Sequence, residues 1–361
     1  MRHFTFVVAL CIFSLSSFAQ KRVLIEKFTS AFCGSCPNAS IVIDELRAEY
    51  DLIWVNHHKL TTWTDYQLDN DQSPVLWDDS QTPGTPTAMV DRVPLNNALA
   101  TTLSSWETRV LQRIDEPAYA DISIDEGAIE PNSRLLQFTV SISFDELPTN
   151  AASYRLSAMM VEDSIVGYGQ GYDQSNYFNE VEGHPLQGLG QPIVGYVHNN
   201  VVRAILDEAW GNADIIPANP EVGTTYSHTF SYTVPEQYHW ENMRAVIVLA
   251  QHDTDDVRNR QVLNANERQL SDFVATIVVD PANETLPLEF APNPANDFIQ
   301  IDYHQLPSQG AIYNAQGQLV ESINVNDTRV IHPIHHLDQG TYLLRFLVGD
   351  QWYAKKLLIV R

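Results

Sequence analysis

Basic residues are scarce in this chain. Lys and Arg number 21 against 45 Asp and Glu, which gives the 361 residues a formal net charge of -24. Nucleic acids and anionic membrane surfaces are bound through basic patches, so this acidic excess disfavours both kinds of partner. With 44% hydrophobic and 18% charged residues, the chain is expected to fold into two or three domains.

Long hydrophobic runs are also missing. A transmembrane helix needs ~20 consecutive apolar residues, and no segment beyond the N-terminus reaches this length. The N-terminus has the pattern of a signal peptide, with a charged start at residues 1–3, an apolar core at 4–15 and the cleavage site Ser17-Phe18-Ala19. We therefore predict that residues 1–19 are a signal peptide and that the mature chain is exported and soluble, without a transmembrane segment.

Cysteine is nearly absent, with three residues in total. Cys11 falls within the predicted signal peptide, which leaves Cys33 and Cys36 in Phe32-Cys33-Gly34-Ser35-Cys36-Pro37. The motif lies between an apolar strand-like run and a helix-like segment. A helix N-terminus favours a thiolate over a thiol. The pattern is thus typical of a thiol-disulfide redox site, with Cys33 as nucleophile and Cys36 as resolving thiol.

Two other interpretations of the cysteine pair remain open. A static disulfide between Cys33 and Cys36 is expected in an oxidising compartment, although so small a ring would stabilise the fold by only ~2 kcal/mol. A structural zinc site needs four ligands, and no His lies near the two cysteines at ligand spacing. We therefore favour the redox pair, keep the static disulfide as the alternative and predict no metal.

Three further patterns invite a ligand. The run Asp253-Thr254-Asp255-Asp256 offers carboxylates for calcium but lacks the spacing and glycine of an EF-hand loop, so it is interpreted as a solvated turn. The doublets His57-His58 and His335-His336 point apart on an extended chain and form no chelate alone. The sequence contains no Gly-rich phosphate loop and no Gly-x-Ser-x-Gly elbow. We predict no cofactor besides the redox-active disulfide.

Residues 20–116 alternate strand and helix patterns. A buried strand at 23–28, an amphipathic helix at 39–50 and a buried strand at 52–55 form a β-α-β unit, which implies parallel pairing. A polar loop is predicted at 62–82, a short strand at 88–90, and a closing helix with Leu103, Trp106, Val110 and Ile114 at near-helical spacing.

Residues 117–280 have an all-β pattern. Leu136, Phe138, Val140, Ile142 and Phe144 alternate with polar residues, which indicates a strand with one buried face. Similar patterns at 154–161, 226–234 and 245–251 predict a β-sandwich. A Gly-, Asn- and aromatic-rich excursion at 167–220 interrupts it. We expect a helix at 197–209 within this excursion, and ordered loops of such length are often functional.

The N-terminal segment resembles the thioredoxin fold: a strand, then Cys-x-x-Cys opening a helix, then Thr85-Pro86-Thr87 before a strand. The resemblance implies that the Thr85-Pro86 bond is cis and that Pro86 faces the cysteine pair and shapes the substrate face. Phe32 and Pro37, which flank the cysteines, and Thr85 would support the site.

One position departs from that pattern. Thioredoxins that reduce substrates carry a buried acidic residue six positions before the first cysteine, where this chain has Lys27. Glu26 is the neighbouring candidate for the supporting role, but successive strand residues face opposite sides. The dipeptide Gly34-Ser35 between the cysteines also lacks the proline of reducing thioredoxins, so the direction of electron flow stays open.

Two further resemblances concern export. Glu26-Lys27-Phe28-Thr29, Gly84-Thr85-Pro86-Thr87-Ala88 and the segment 196–203 are similar to the exported family named for a 28-kDa outer-membrane protein. Four motifs at 291–297, 313–320, 337–345 and 355–361 resemble the C-terminal sorting domain of the type IX secretion system. The resemblance implies a small Ig-like β-sandwich at 281–361, after a linker at 282–287. It also implies that the secretion machinery is a partner, and a location at the outer-membrane surface or outside the cell.

The sequence thus predicts a multidomain α/β plus all-β protein: a thioredoxin-like domain at 20–116, a β-sandwich at 117–280 and the sorting domain at 281–361. Our first hypothesis for its function is thiol-disulfide exchange on the thiols or disulfides of extracytoplasmic proteins. The alternative is a non-enzymatic surface binding or adhesion protein with a structural disulfide, in which the excursion contacts a surface ligand.

Overall fold

The computed structural model describes residues 21–58, 67–130, 133–149, 151, 153–273, 288–314, 319–348 and 351–361. The chain divides into two compact units, Met1–Phe273 and Val274–Arg361. The predicted signal peptide at 1–19 and the predicted linker at 282–287 lie outside the described residues.

The first unit combines helices with many strands. Its helices are α1 (Cys36–Glu49), α2 (Ser73–Asp79) and α3 (Trp106–Ile114), with short 3-10 helices at Leu103–Ser105, Trp240–Asn242, Val257–Asn259 and Leu270–Phe273. Its strands are β1 (Val23–Thr29), β2 (Leu52–His58), β3 (Thr87–Val90), β4 (Thr101–Thr102), β5 (Ala120–Ile129), β6 (Leu135–Phe144), β7 (Ser153–Glu162), β8 (Val201–Leu206), β9 (Thr225–Thr233), β10 (Met243–His252) and β11 (Val262–Gln269).

One eight-stranded sheet runs through this unit in the order β11-β10-β7-β8-β2-β1-β3-β4. Strands β1 and β2 are parallel, with Val23 opposite Leu52, which confirms the predicted β-α-β unit. Strand β3 pairs with β1 in the antiparallel sense. Both 20–116 and 117–280 contribute strands to this sheet, so the backbone hydrogen bonding is continuous between the two predicted segments.

Helices lie on both faces of the large sheet: Leu76 of α2 packs with Leu24 and Phe28 on one face, and α1 and α3 lie on the other. Helices α1 and α3 bury Ile43 and Trp106 against β1, β2 and β3. A three-stranded sheet of β5, β6 and β9 packs against β7 and β10 around the rings of Phe138 and Phe144. The alternation predicted for residues 136–144 is confirmed, because every second residue of that run is buried. The predicted sandwich core therefore exists, and it uses strands of the large sheet as one of its layers.

The predicted helix at 197–209 is wrong. Residues Val201–Leu206 form strand β8, which pairs with β7 and, through Val201 and Asn56, with β2. The apolar spacing of this segment suits both a helix and a strand, and its β-branched residues favour the extended form. Pairing with β7 on one side and β2 on the other makes this segment a strand. The excursion therefore does not contain the predicted helix.

Part of the predicted loop at 62–82 is also helical. Residues 59–66 lie outside the described residues, but Ser73–Asp79 form α2 with a proline in its first turn. A proline is tolerated there because the first N–H groups of a helix have no intrahelical partner. Leu76 on this helix is fully buried against the sheet, and tertiary packing stabilises so short a helix.

The second unit is all β in its described part. Its strands are β12 (Leu288–Ala291), β13 (Phe298–Tyr303), β14 (Gln309–Tyr313), β15 (Leu319–Ser322), β16 (Arg329–Pro333), β17 (Gly340–Val348) and β18 (Gln351–Ile359). They form a three-stranded sheet, β12-β13-β16, and a four-stranded sheet, β15-β14-β17-β18. Ile299, Ile312 and Phe346 belong to one shared core, as expected for a small β-sandwich.

A buried ionic cluster joins the ends of the first unit. The carboxylate of Asp91 is fully buried and accepts a hydrogen bond from the Leu24 N–H at 2.9 Å. Its other oxygen lies 3.0 Å from Lys21 Nζ and 3.1 Å from Arg113 Nε. The backbone oxygen of Asp91 accepts from Val262 N–H on β11. One residue therefore fastens β1, α3 and β11 to each other.

We expect Asp91→Asn to lower the free energy of unfolding by about 3 kcal/mol, because it leaves two buried cations without their anion. Asn keeps the shape of the side chain and tolerates the left-handed backbone of Asp91 (φ 48°). Chemical denaturation measures the change. The matched control is Glu208→Gln, since Glu208 pairs with Arg155 at an exposed site; it should cost less than about 1 kcal/mol. Equal effects of the two substitutions would contradict the role of Asp91.

Candidate redox site

The two predicted cysteines are joined. Cys33 and Cys36 form a disulfide in the turn between β1 and α1, where Cys36 N–H donates to the Cys33 carbonyl at 3.1 Å. Cys36 is the first residue of α1 and is 1% exposed, whereas Cys33 is half-buried. The first turn of α1 contains no acidic residue, so its dipole is not neutralised locally and favours negative charge at the sulfurs.

The predicted proline lies at the same edge of the sheet. The Thr85-Pro86 bond is cis, as the resemblance implied, and both residues are half-buried. The next residue, Thr87, pairs with Phe28 of β1, two residues before the loop that carries the cysteines. Among the supporting residues, Phe32 is exposed and Pro37 is buried in the first turn of α1.

The excursion lies directly on the cysteine loop, which the sequence did not predict. The Gln174 side chain donates to the carbonyls of Ala31 at 3.1 Å and Cys33 at 2.9 Å. Ser175 N–H donates to Ala31 O at 2.7 Å, and Tyr177 N–H donates to Gly34 O at 2.9 Å. Residues 174–177 therefore run beside residues 31–34 and hold the loop in place.

Tyr177 also restricts the dipeptide between the cysteines. Its ring lies against Gly34 so closely that a Cβ atom at position 34 would overlap it, while 70% of the Tyr177 side chain stays exposed. The site is thus shaped by a segment far away in the sequence. The only signal of this was the length and the Gly- and Asn-rich composition of the excursion.

A small cavity of about 80 Å³ lies behind the disulfide. Cys36, Lys27, Ser40 and Asp44 line it, together with residues of β2 and of the excursion. Lys27 is 1% exposed, and its Nζ donates to Ser40 Oγ at 2.6 Å and lies 5.0 Å from the centre of the Trp54 ring. The position that departs from the thioredoxin pattern is therefore a buried cation beside the resolving cysteine.

Burial dominates the electrostatics of this cavity. It lowers the pKa of Lys27 from 10.5 to about 7, although the carboxylate of Asp44 acts in the opposite direction. Burial also raises the pKa of Asp44, against the effect of Lys27. Both shifts have the same cause, since a charge is disfavoured in a site with little water. At neutral pH, Lys27 is thus close to the midpoint between ammonium and amine.

Glu26 does not take the supporting role considered for it. It lies on the opposite face of β1, where Arg92 donates to both carboxylate oxygens at 2.7 and 2.8 Å. Burial alone would raise the pKa of Glu26, but the Arg92 guanidinium and His57 lower it to about 2. Its charge is therefore held in a structural ion pair away from the disulfide.

The other candidate ligands are dispersed. His57 Nδ1 is hydrogen-bonded to Ser73 Oγ at 2.7 Å, while the His58 ring packs edge-on against His198. His336 bonds to Glu321 in the second unit. Asp253 accepts from the N–H groups of Asp255 and Asp256, which is the geometry of a turn. The described residues contain no group of three or more His, Cys, Asp or Glu arranged to hold a metal ion.

We expect Lys27→Met to stabilise the protein by roughly 1–3 kcal/mol at pH 7 and below, because it removes a buried charge and keeps the aliphatic packing. Between pH 7 and 10.5 the unfolded chain retains the Lys27 proton that the folded protein has lost, so the stability of the wild type rises with pH. The advantage of the variant should shrink over this range. Denaturation curves at several pH values measure it, and a difference independent of pH would contradict the assignment.

Comparison with one solved structure supports the overall fold. The chain is similar to HBP35 of Porphyromonas gingivalis, with 18% sequence identity and a TM-score of 0.54 over 95% of this chain and 99% of that one. A crystal structure of a protein from Agrobacterium tumefaciens gives 11% identity and a TM-score of 0.43 over 70% of this chain and 96% of that one. No curated protein matches the chain in sequence.

Family comparisons identify the two parts of the chain. The profile of the Outer membrane protein Omp28 family matches residues 70–269, more than half of the chain, and begins after Cys36. The profile of the secretion system C-terminal sorting domain matches residues 289–360, within the predicted 281–361, and this type IX domain implies the secretion machinery as a partner. No helix among the described residues is long and apolar enough to cross a bilayer.

These matches confirm the predicted family, sorting domain and location. The chain belongs to the Outer membrane protein Omp28 family and is an exported protein of the cell surface, directed there by its C-terminal sorting domain.

Proposed function

We propose that this protein exchanges thiols and disulfides with extracytoplasmic proteins through a thioredoxin-like site. Cys33 is the sulfur that reacts with the substrate, Cys36 is the resolving or leaving thiol, and Pro86 shapes the surface on which the substrate lies. The disulfide itself is the only redox group that this reaction requires.

The arrangement of elements around the disulfide supports a thioredoxin-like unit. The strand order β2-β1-β3-β4 combines a parallel β1–β2 pair joined by α1 with an antiparallel β3. The cysteines open α1, and a cis-proline opens β3 at the same edge. These are the features that the sequence resemblance implied, and in the large sheet they occur together.

The asymmetry of the two sulfurs carries the proposal. Cys33 is half-buried and Cys36 is buried, so a partner reaches one sulfur while the other is held beside the cavity. Thiol-disulfide exchange needs this division, because the attacked sulfur must be accessible and the leaving sulfur must be stabilised. A purely structural disulfide does not need one accessible sulfur and one buried sulfur.

We expect Cys33 to be alkylated faster than Cys36 after mild reduction, at pH values below ~8.5, the ordinary thiol pKa. Quantitative mass spectrometry of iodoacetamide-treated protein measures the two rates. Cys36→Ser should accumulate a mixed disulfide with oxidised glutathione through Cys33, and Cys33→Ser should not.

A redox titration against glutathione is the decisive control for this prediction. A reduction potential above about -300 mV supports exchange, since lower values are typical of inert structural disulfides. Equal and slow alkylation of the two cysteines, together with a potential below that value, would reject the proposed function.

A second function is favoured by one observation. The excursion exposes several large apolar side chains, among them Tyr168 at 76% and Val194 at 64%. Exposed apolar side chains grouped on one segment are typical of binding surfaces. In this alternative the protein binds a surface ligand through the excursion, and the disulfide only holds the loop beneath it.

The two functions separate in a binding assay on an immobilised peptide library. If the excursion is the binding surface, Tyr168→Ser should reduce peptide binding by about tenfold, a loss typical of an exposed aromatic anchor. The double variant Cys33→Ser, Cys36→Ser should bind as the wild type does. Loss of binding in the cysteine variant, with Tyr168→Ser unaffected, would exclude this alternative.

A further inference from the structure

We propose that Lys27 is the charge and proton partner of Cys36: its ammonium stabilises the Cys36 thiolate when the disulfide opens, and its amine accepts the Cys36 proton when the disulfide closes. This inference rests on the proposed thiol-disulfide exchange and assigns a role to the lysine at the position where the thioredoxin pattern has an acid. It concerns the cavity behind the disulfide, on the side away from the substrate.

The position of Lys27 follows from the strand and the helix. Lys27 lies on the same face of β1 as Val23 and Ile25, the face covered by α1. Its Nζ donates to Ser40 Oγ at 2.6 Å, and Ser40 Oγ donates to the Cys36 carbonyl at 3.4 Å. Ser40 is one helical turn after Cys36, so both face the same side of α1. Ser40 therefore links the Lys27 ammonium to the first turn of α1, which begins at Cys36.

Lys27 is the residue that supplies positive charge to the cavity. Of the described residues that line the cavity, Lys27 is the only Lys or Arg. Asp44 on α1, His58 on β2, and Tyr196 and His198 of the excursion are the other titratable groups besides Cys36. Burial raises the pKa of Asp44 and of Tyr196, so it disfavours the anionic form of both side chains. A thiolate formed at Cys36 would share the cavity with this one ammonium.

The cavity is also polar enough to connect the two groups. Trp54 Nε1 and Asn56 Oδ1 are buried atoms of lining residues and have no hydrogen-bond partner in the described part of the chain. Buried polar atoms of this kind are usually satisfied by water. A cavity of about 80 Å³ has room for water, which can carry a proton between Lys27 Nζ and Cys36 Sγ.

The chemical steps balance with the disulfide that the structure contains. A substrate thiolate attacks Cys33 Sγ, the substrate–Cys33 bond forms, and the Cys33–Cys36 bond breaks with its electron pair on Cys36. Lys27 donates a proton to that thiolate. A second substrate thiolate then attacks the substrate sulfur of the mixed disulfide and releases Cys33. Two substrate thiols are oxidised to a disulfide, and the cysteine pair is reduced. In the reverse direction, the Lys27 amine removes the Cys36 proton.

The experiment is a pH titration of Cys36 in the exported form, residues 20–361, with Cys33→Ser so that Cys36 is the only thiol. Ultraviolet absorbance of the thiolate reports its pKa. Adding Lys27→Met or Lys27→Gln should raise the pKa of Cys36 by about one unit or more, the usual effect of losing a nearby opposite charge. Lys27→Arg retains the cation and should keep the pKa of Cys36 within about half a unit of the parent.

Arg47→Met is the matched control. It removes the same charge from α1 at a half-exposed site that does not line the cavity, and it should leave the Cys36 titration unchanged. An unchanged pKa of Cys36 in both neutral Lys27 variants would overturn the inference. So would an equal shift in Arg47→Met, because the effect would then be a general one of net charge.

The outcome is separable from that of the proposed function, because the titration needs no redox partner. In protein with both cysteines, at pH values above the pKa of Cys36 in both wild type and variant, Lys27→Met should shift the equilibrium with glutathione about tenfold toward the disulfide for each unit by which the pKa of Cys36 rises. If the wild-type disulfide resists glutathione while Cys36 responds to Lys27, the proposed function fails and the pairing stands. If the wild type exchanges normally and Cys36 ignores Lys27, the proposed function stands and this inference fails.

Discussion

Two buried charges of opposite sign stand next to each other on β1, and the alternation of the strand sends them to opposite faces of the sheet. Glu26 meets Arg92 in a bidentate ion pair on one face. Lys27 on the other face has a short hydrogen bond to Ser40 and the carboxyl group of Asp44, whose pKa is raised by burial. Because desolvation is costly for both, each face needs its own compensation. The contacts that compensate the buried charge are weaker on the face toward α1. This is also the face that contains the disulfide.

The excursion restricts the surroundings of the cysteine loop. In a loop held only by its own turn, the disulfide would be open to partners from most directions. Here the hydrogen bonds of Gln174, Ser175 and Tyr177 occupy the carbonyls of the loop, so the excursion lies against the loop along residues 31–34. A substrate of the proposed exchange would have to reach Cys33 beside this segment.

The sequence allowed the local elements to be predicted where one face is buried and the period is clear. The strand at 136–144 and the β-α-β unit around the cysteines are examples, and the disulfide followed from there being one cysteine pair. The segment at 197–209 could not be assigned in this way, because its state depends on pairing with β7 and β2. Residues that are distant in the sequence also form the cavity around Lys27. The sequence therefore shows that a lysine departs from the thioredoxin pattern at this position, but it does not predict which residues surround that lysine.

The contact between Tyr177 and Gly34 bears on how the cysteine motif can vary. In redox proteins the two residues between the cysteines are usually discussed as regulators of electron transfer. At position 34 the first limit is steric, since any side chain would have to displace the Tyr177 ring, whose backbone is fixed to the Gly34 carbonyl. The excursion therefore favours glycine at position 34 for a steric reason that is independent of the chemistry of the cysteines.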